Sequence, residues 1–178
     1  GMMTPETTTT HYWDGGDMVA ESGDNGEVFA RYLRGFALIA REQDGLLQYY
    51  LHNGYGDVVQ RTDAQGTILK NYDYDALGVE KNPEHVDSNP FRYCGEYWDR
   101  EIENIYLRAR HYNPQNGRMC SEDPLHDGLN WYAYCGNNPV AFADPSGLMK
   151  IYASNSGGSF AWAAVGQSKP GGAEAWSN

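Results

Sequence analysis

The chain has 178 residues and carries 24 Asp and Glu against 13 Lys and Arg, a formal net charge of −11 at pH 7. That length suits one domain with a sizeable core, and the acidic balance argues against nucleic acid as the main partner, because phosphate binding asks for clustered Lys and Arg. No apolar run approaches membrane-spanning length and no signal peptide is visible, while 14 Tyr, 5 Trp and 21 Gly against 5 Phe point to half-buried β-surfaces joined by tight turns.

Residues 1–10 read as a disordered lead, with Gly1 ahead of Met2 and Met3 as a cloning leftover, so that the native start and any export signal stand outside the chain. Residues 11–80 read as a degenerate array of β-hairpins. Asp24-Asn25-Gly26, Asp44-Gly45 and Asp63-Ala64-Gln65-Gly66 are turn signals at which Gly or Asn accepts positive φ. They recur at about twenty residues, the period of one hairpin per unit. Between them lie β-leaning runs such as Val28 to Leu33 and Leu46 to Leu51. In Trp13-Asp14-Gly15-Gly16 and Tyr74-Asp75-Ala76-Leu77-Gly78 the Asp is expected to bond its own following backbone and set the turn. An array this short leaves strand edges open, so self-association through those edges is expected.

Residues 81–148 are less regular. Gly78 to Asn89 reads as a loop, Asn104 to Tyr112 alternates apolar and polar as a strand does, and Asn113 to Arg118 is a turn. Leu129 to Cys135 fits a short helix or a strand, with Asn130 as N-cap. No 3.6-residue stripe persists over three turns, so little helix is expected. Cys94, Cys120 and Cys135 show no C-x-x-C pair and no Cys/His spacing of a zinc site. They read as buried or half-buried free thiols of a reducing compartment, with a disulfide between two of them left open. Neither metal nor cofactor is expected. His85, His111, His126 and Cys135 have no spacing that would make a nucleophile set.

Several short motifs follow one another in this half: Asn89-Pro90-Phe91-Arg92-Tyr93, Gly95-Glu96-Tyr97, Ile105 to Tyr112, Gly117-Arg118, Ser121-Glu122-Asp123-Pro124, Asn130-Trp131-Tyr132-Ala133-Tyr134 and Asp144-Pro145-Ser146-Gly147-Leu148. The ordered set resembles the C-terminal part of the RHS repeat-associated core domain, which closes the shell of RHS and YD-repeat polymorphic toxins. The resemblance implies a mainly β fold: antiparallel YD/RHS hairpin repeats in an open curved sheet, a less regular core-domain plug, and little helix. It also implies a secreted or cell-surface protein whose core is a built-in aspartyl protease, cutting its own chain after the Asp-Pro-x-Gly-Leu motif. Here that bond is Leu148–Met149, and the residues matching the family's acids are Asp123 and Asp144. Arg118 is the candidate for orienting or charge-balancing Asp123.

The chemistry asks for two carboxyl groups near one carbonyl, one ionised to take a proton from water and one protonated to donate. Asp before Pro is also a common turn initiator, so both acids have a purely architectural reading. Residues 149–178 form a short tail rich in Gly, Ser and Ala, too short for a toxin domain of its own. It is either a remnant or the start of a variable region, and Tyr152, Phe160 and Trp162 suit an added strand pair around Asn155 to Gly158. The partner implied is this tail or a toxin cargo. The alternative is a non-catalytic β-repeat module that binds protein or carbohydrate through its Tyr and Trp faces.

Overall fold

The computed structural model describes residues 8–84, 86–126, 128–156 and 159–164, with side chains as far as Ile151. Residues 1–7 and 165–178, most of the expected disordered lead and the end of the tail, lie outside the described residues, as does His85. Thr10, at the end of that lead, opens the first strand. The fold is mainly β and antiparallel, as expected.

Two compact units divide the chain: Gly1–Leu51 with Val59–Asn71, and His52–Val58 with Tyr72–Asn178. The first is built on a seven-stranded meander in which each strand bonds to the next in sequence: β1 (Thr10–Asp14), β2 (Asp17–Ser22), β3 (Val28–Arg34), β4 (Leu38–Gln43), β5 (Leu46–His52), β6 (Val58–Asp63) and β7 (Ile68–Asn71). Its turns are chemically explicit. Asp44 and Gly45 sit at φ 53° and 75° between the paired residues Gln43 and Leu46, the two-residue turn that left-handed Asp-Gly favours. At the β6–β7 turn, Asp63 Oδ1 accepts the Gln65 and Thr67 amides at 2.9 and 2.8 Å, and the Gly66 amide donates to the Asp63 carbonyl at 3.1 Å. The carboxylate stands in for a backbone acceptor, which is why a short acid or amide opens such turns.

The second unit repeats this device. Asn53 Oδ1 accepts the Tyr55 and Asp57 amides at 2.9 and 3.0 Å. Asp75 Oδ1 accepts those of Leu77 and Val79 at 2.8 and 3.0 Å, the turn-setting role expected for that Asp. The unit's largest sheet has the order β11-β10-β9-β8, from β8 (Tyr97–Asp99), β9 (Asn104–Leu107), β10 (Arg110–Asn113) and β11 (Arg118–Met119). Its core joins Tyr93, Ile105, Leu107, Tyr112, Met119, Tyr134 and Cys135, with the Tyr112 and Tyr134 rings stacked at 3.8 Å. The Asn89 to Tyr93 motif forms a buried polar hub. Asn89 Nδ2 donates to the Phe91 carbonyl at 2.6 Å and to the Tyr72 hydroxyl at 3.1 Å, while Tyr72 donates to Asp87 at 2.7 Å and Arg92 pairs with Glu80.

Two expectations are corrected here. The alternating run Asn104 to Tyr112 is a hairpin rather than one strand: Leu107 pairs with Arg110, and Arg108 takes the left-handed conformation at φ 61°. Leu129 to Tyr134 is neither helix nor strand, and Cys135 only opens a short 3₁₀ turn. Asn130 closes a turn, accepting the Tyr132 amide at 3.2 Å, and a single bridge ties Ala133 to Arg118. Among the described residues, the few helical ones form two short 3₁₀ turns, Tyr93–Gly95 and Cys135–Asn137. A last sheet runs β12 (Phe142–Ala143), β13 (Ile151–Ser156) and β14 (Ser159–Ala164). The tail thus forms the expected strand pair, with Asn155 opposite Phe160, and joins the unit through β12.

Candidate active site

Ala143 of β12 pairs with Ile151 of β13, so residues 144–150 form a hairpin loop that contains the Leu148–Met149 bond. The loop begins with the turn device met above. Asp144 Oδ1 accepts the Ser146 hydroxyl at 3.1 Å, the Leu148 amide at 3.2 Å and the Met149 amide at 3.1 Å. The Gly147 amide reaches the Asp144 carbonyl at 3.4 Å. Ser146 Oγ also accepts the Leu148 and Met149 amides, at 3.1 and 3.3 Å. The nitrogen of the expected scissile bond is therefore held by one carboxylate and one hydroxyl.

Three consecutive residues, Arg108 and Ala109 of the β9–β10 turn and Arg110 at the start of β10, hold three consecutive carbonyls of this loop. Arg108 Nη1 donates to Pro145 O at 2.5 Å and to Glu96 at 2.7 Å. The Ala109 amide donates to Ser146 O at 3.2 Å. Arg110 Nε donates to Gly147 O. The approach is close enough to require glycine at 147: a Cβ there would lie 2.6 Å from Leu107 O and 2.8 Å from Arg110 N, and φ is +69°. Arg110 is nearly fully buried. It also donates to Trp131 O at 3.1 Å and faces Asp144 Oδ2 at 3.8 Å, so its charge is shared among acceptors rather than left alone in a dry site.

Asp123 opens a turn of related design. Its Oδ1 accepts the Leu125 amide at 2.9 Å, its carbonyl accepts the His126 amide at 2.9 Å, and His126 takes φ 50° where the other turns place Gly. The His126 ring lies against Trp131 at 4.5 Å. Asp123 and Asp144 are 8% and 4% exposed, and both line one cleft of about 370 Å³ together with Arg110, Cys135, Leu148 and Met149. Burial pushes the Asp144 carboxyl above the usual carboxylate range, opposed by the Ser146 hydroxyl, the Met149 amide and the Arg110 guanidinium.

Of the residues singled out from sequence, Asp123, Asp144, Leu148 and Met149 meet at this cleft. Arg118 lies on β11 with an exposed side chain and is not among the lining residues. The arginine in the cleft is Arg110. Its sequence signal was its parity: on β10 it alternates in phase with buried Tyr112, and a cation on a buried face must find acceptors. Cys135 shares the cleft, but burial pushes its thiol up to about 12, which leaves too little thiolate for a nucleophile. Cys94 is half-buried and Cys120 is exposed rather than buried; all three cysteines are free. Among the described residues no group of three or more His, Cys, Asp or Glu could hold a metal ion, and no helix is long and apolar enough to cross a membrane.

No protein-family model matches the chain. It is similar to part of the tRNA3(Ser)-specific nuclease WapA of Bacillus spizizenii, 36% identical over 152 residues, which span 78% of this chain and 6% of that protein. It is also similar to the toxin protein Tse5 of Pseudomonas aeruginosa, 40% identical over 79 residues, 43% of this chain and 6% of that protein. Among solved structures, a chain in the TcdB2-TccC3-Cdc42 crystal structure matches 72% of this chain and 7% of its own length, with a TM-score of 0.58 and 26% identity. The chain thus corresponds to a small fraction of the length of these much larger relatives, two of them named for toxic or nucleolytic action.

Proposed function

We propose that this chain is the self-processing segment of an RHS-type toxin protein, cutting itself once at Leu148–Met149 to free whatever follows. The observation that carries this reading is the shared cleft: Asp123, Asp144, Arg110 and the Leu148–Met149 bond line one space. Asp123 would take a proton from a water molecule as it adds to the Leu148 carbonyl carbon. Asp144, protonated and accepting the Met149 amide in the resting chain, would be the source of the proton that lets the amine leave. Arg110 would fix the Gly147 carbonyl and balance the charge that passes to Asp144. In a longer protein the freed piece would be the cargo, and the similarity to toxin proteins supports a secreted or surface setting.

A second reading has its own support. Asp123 and Asp144 both spend Oδ1 on turns of the kind that Asp63 and Asp75 make elsewhere without any chemistry. On that reading the cleft is architecture and the chain is a non-catalytic β-repeat module. Intact mass measured under denaturing conditions, fresh and after days at pH 5 and pH 7, separates the two. Self-processing gives fragments 1–148 and 149–178 in the wild type and neither in Asp123→Asn. A single full-length mass throughout favours the architectural reading.

A further inference from the structure

We propose that Ser146 is the catalytic relay that delivers the proton to the departing Met149 nitrogen, an assignment that rests on the self-cleavage reading above. Its Oγ lies 3.1 Å from Asp144 Oδ1 and 3.3 Å from Met149 N, so the hydroxyl bridges the acid and the atom that must leave. Asp144 Oδ1 touches three groups in this loop, the Ser146 hydroxyl and the amides of Leu148 and Met149, and of these the hydroxyl is the one that can take up a proton while giving another away. A hydroxyl both donates and accepts. Among the contacts of the loop, Ser146 is the group on both Asp144 and Met149 that can pass a proton through.

In the resting chain Ser146 donates to Asp144 and accepts from the Met149 amide. Water addition turns the planar amide into a pyramidal amine with a free lone pair, and the direction reverses. Asp123 takes one proton of the water, and the remaining hydroxide bonds to the Leu148 carbonyl carbon, whose oxygen becomes an alkoxide. As that oxygen re-forms its double bond, the C–N bond breaks and its electron pair stays on nitrogen. The nitrogen takes the Ser146 hydroxyl proton, and protonated Asp144 replaces it. The products are a Leu148 carboxyl group and a Met149 amine. Asp123 has gained the proton that Asp144 lost, and exchange with solvent resets both.

The hydroxyl also holds the acid, since its bond to Asp144 is the first of the contacts that oppose the upward push of burial on that carboxyl. Ser146 therefore influences both the protonation of the donor and the path of its proton. Its position in the motif does not require this for the turn alone, because Asp63 and Asp75 close the same kind of turn with Gln65 and Leu77 at the equivalent place.

The test is self-cleavage followed by intact mass over time for the wild type, Ser146→Ala, Ser146→Thr and Asp144→Asn, each checked for folding by thermal melt. Ser146→Ala should slow cleavage about 100-fold, the lower range for removing a general-acid contact, while Ser146→Thr, which restores a hydroxyl, should stay within about tenfold of wild type. Equal rates in wild type and Ser146→Ala would overturn the relay and leave self-cleavage standing. A wild type that never cuts overturns self-cleavage and the relay together. If Ser146→Ala fails to fold, the rate of the wild type in mixtures of light and heavy water decides. A curved dependence, with more than one proton in flight, supports the relay; a straight one overturns it.

Discussion

Gly147→Ala exposes how tightly the loop is held. Two separate costs are readable. At φ +69° an alanine pays roughly 1–2 kcal/mol for the left-handed conformation. Its Cβ would also lie 2.6 Å from Leu107 O and 2.8 Å from Arg110 N, both backbone atoms that cannot swing aside, and such overpacking costs about 1–3 kcal/mol. The sum is about 2–5 kcal/mol. Gly128 is the internal control: it belongs to the same unit, sits at φ +72°, and a Cβ there meets nothing within 4 Å. Gly128→Ala should cost only the conformational part, about 1–2 kcal/mol. Urea unfolding followed by tyrosine and tryptophan fluorescence measures both. If Gly147→Ala is no more destabilising than Gly128→Ala, the close seating of the loop on the β9–β10 turn is wrong.

Other outcomes follow from the same geometry. Arg110→Met leaves the Gly147 and Trp131 carbonyls and Asp144 without their cation and should destabilise by roughly 3 kcal/mol or more, the scale for breaking a buried ion pair, measured by the same unfolding assay. Because the folded Asp144 holds its proton above the ordinary value of 3.8, the folded state binds more protons than the unfolded one. Its contribution to stability is therefore present in acid and lost as pH rises from about 4 through the folded value. Asp144→Asn should flatten that fall in a pH series of unfolding curves, though not remove it, since burial also raises the Asp57 carboxyl. Exposed Cys120 should take a thiol reagent in the native protein before Cys94 and Cys135 do, which peptide mapping by mass spectrometry checks; early labelling of Cys135 would contradict its burial.

What could be read from residues alone divides along the range of the forces involved. Turns at Asp63 and Asp75 were legible because the side chain bonds its own following amides, an interaction complete within a few residues. The mainly β character followed from Tyr-rich runs punctuated by Gly. The hairpin at Arg108 was not legible: a left-handed arginine is tolerated there because its guanidinium is bonded to Glu96 and to Pro145 O, partners distant in sequence. Asn130 has the chemistry of a cap, but no helix follows it, so it closes a turn instead. At the cleft, the ordered motifs brought forward Asp123, Asp144 and Leu148–Met149, whereas Arg110 was only one residue inside the Ile105 to Tyr112 motif. Its three contacts with Asp144, Gly147 and Trp131 exist only once β10 is laid against the loop. Gly117-Arg118 stands in the same ordered set, yet the bridge to Ala133 leaves the Arg118 side chain exposed.

Hydrolysis at one bond is the central claim, and incubation of the purified chain in ¹⁸O-labelled water, followed by mass spectrometry of the fragments, addresses it directly. The cleft as described should yield one new carboxyl terminus at Leu148 carrying a single heavy oxygen, a second fragment beginning at Met149, and neither product from Asp123→Asn. A chain that stays whole, or that breaks only at Asp123–Pro124 or Asp144–Pro145, would contradict it.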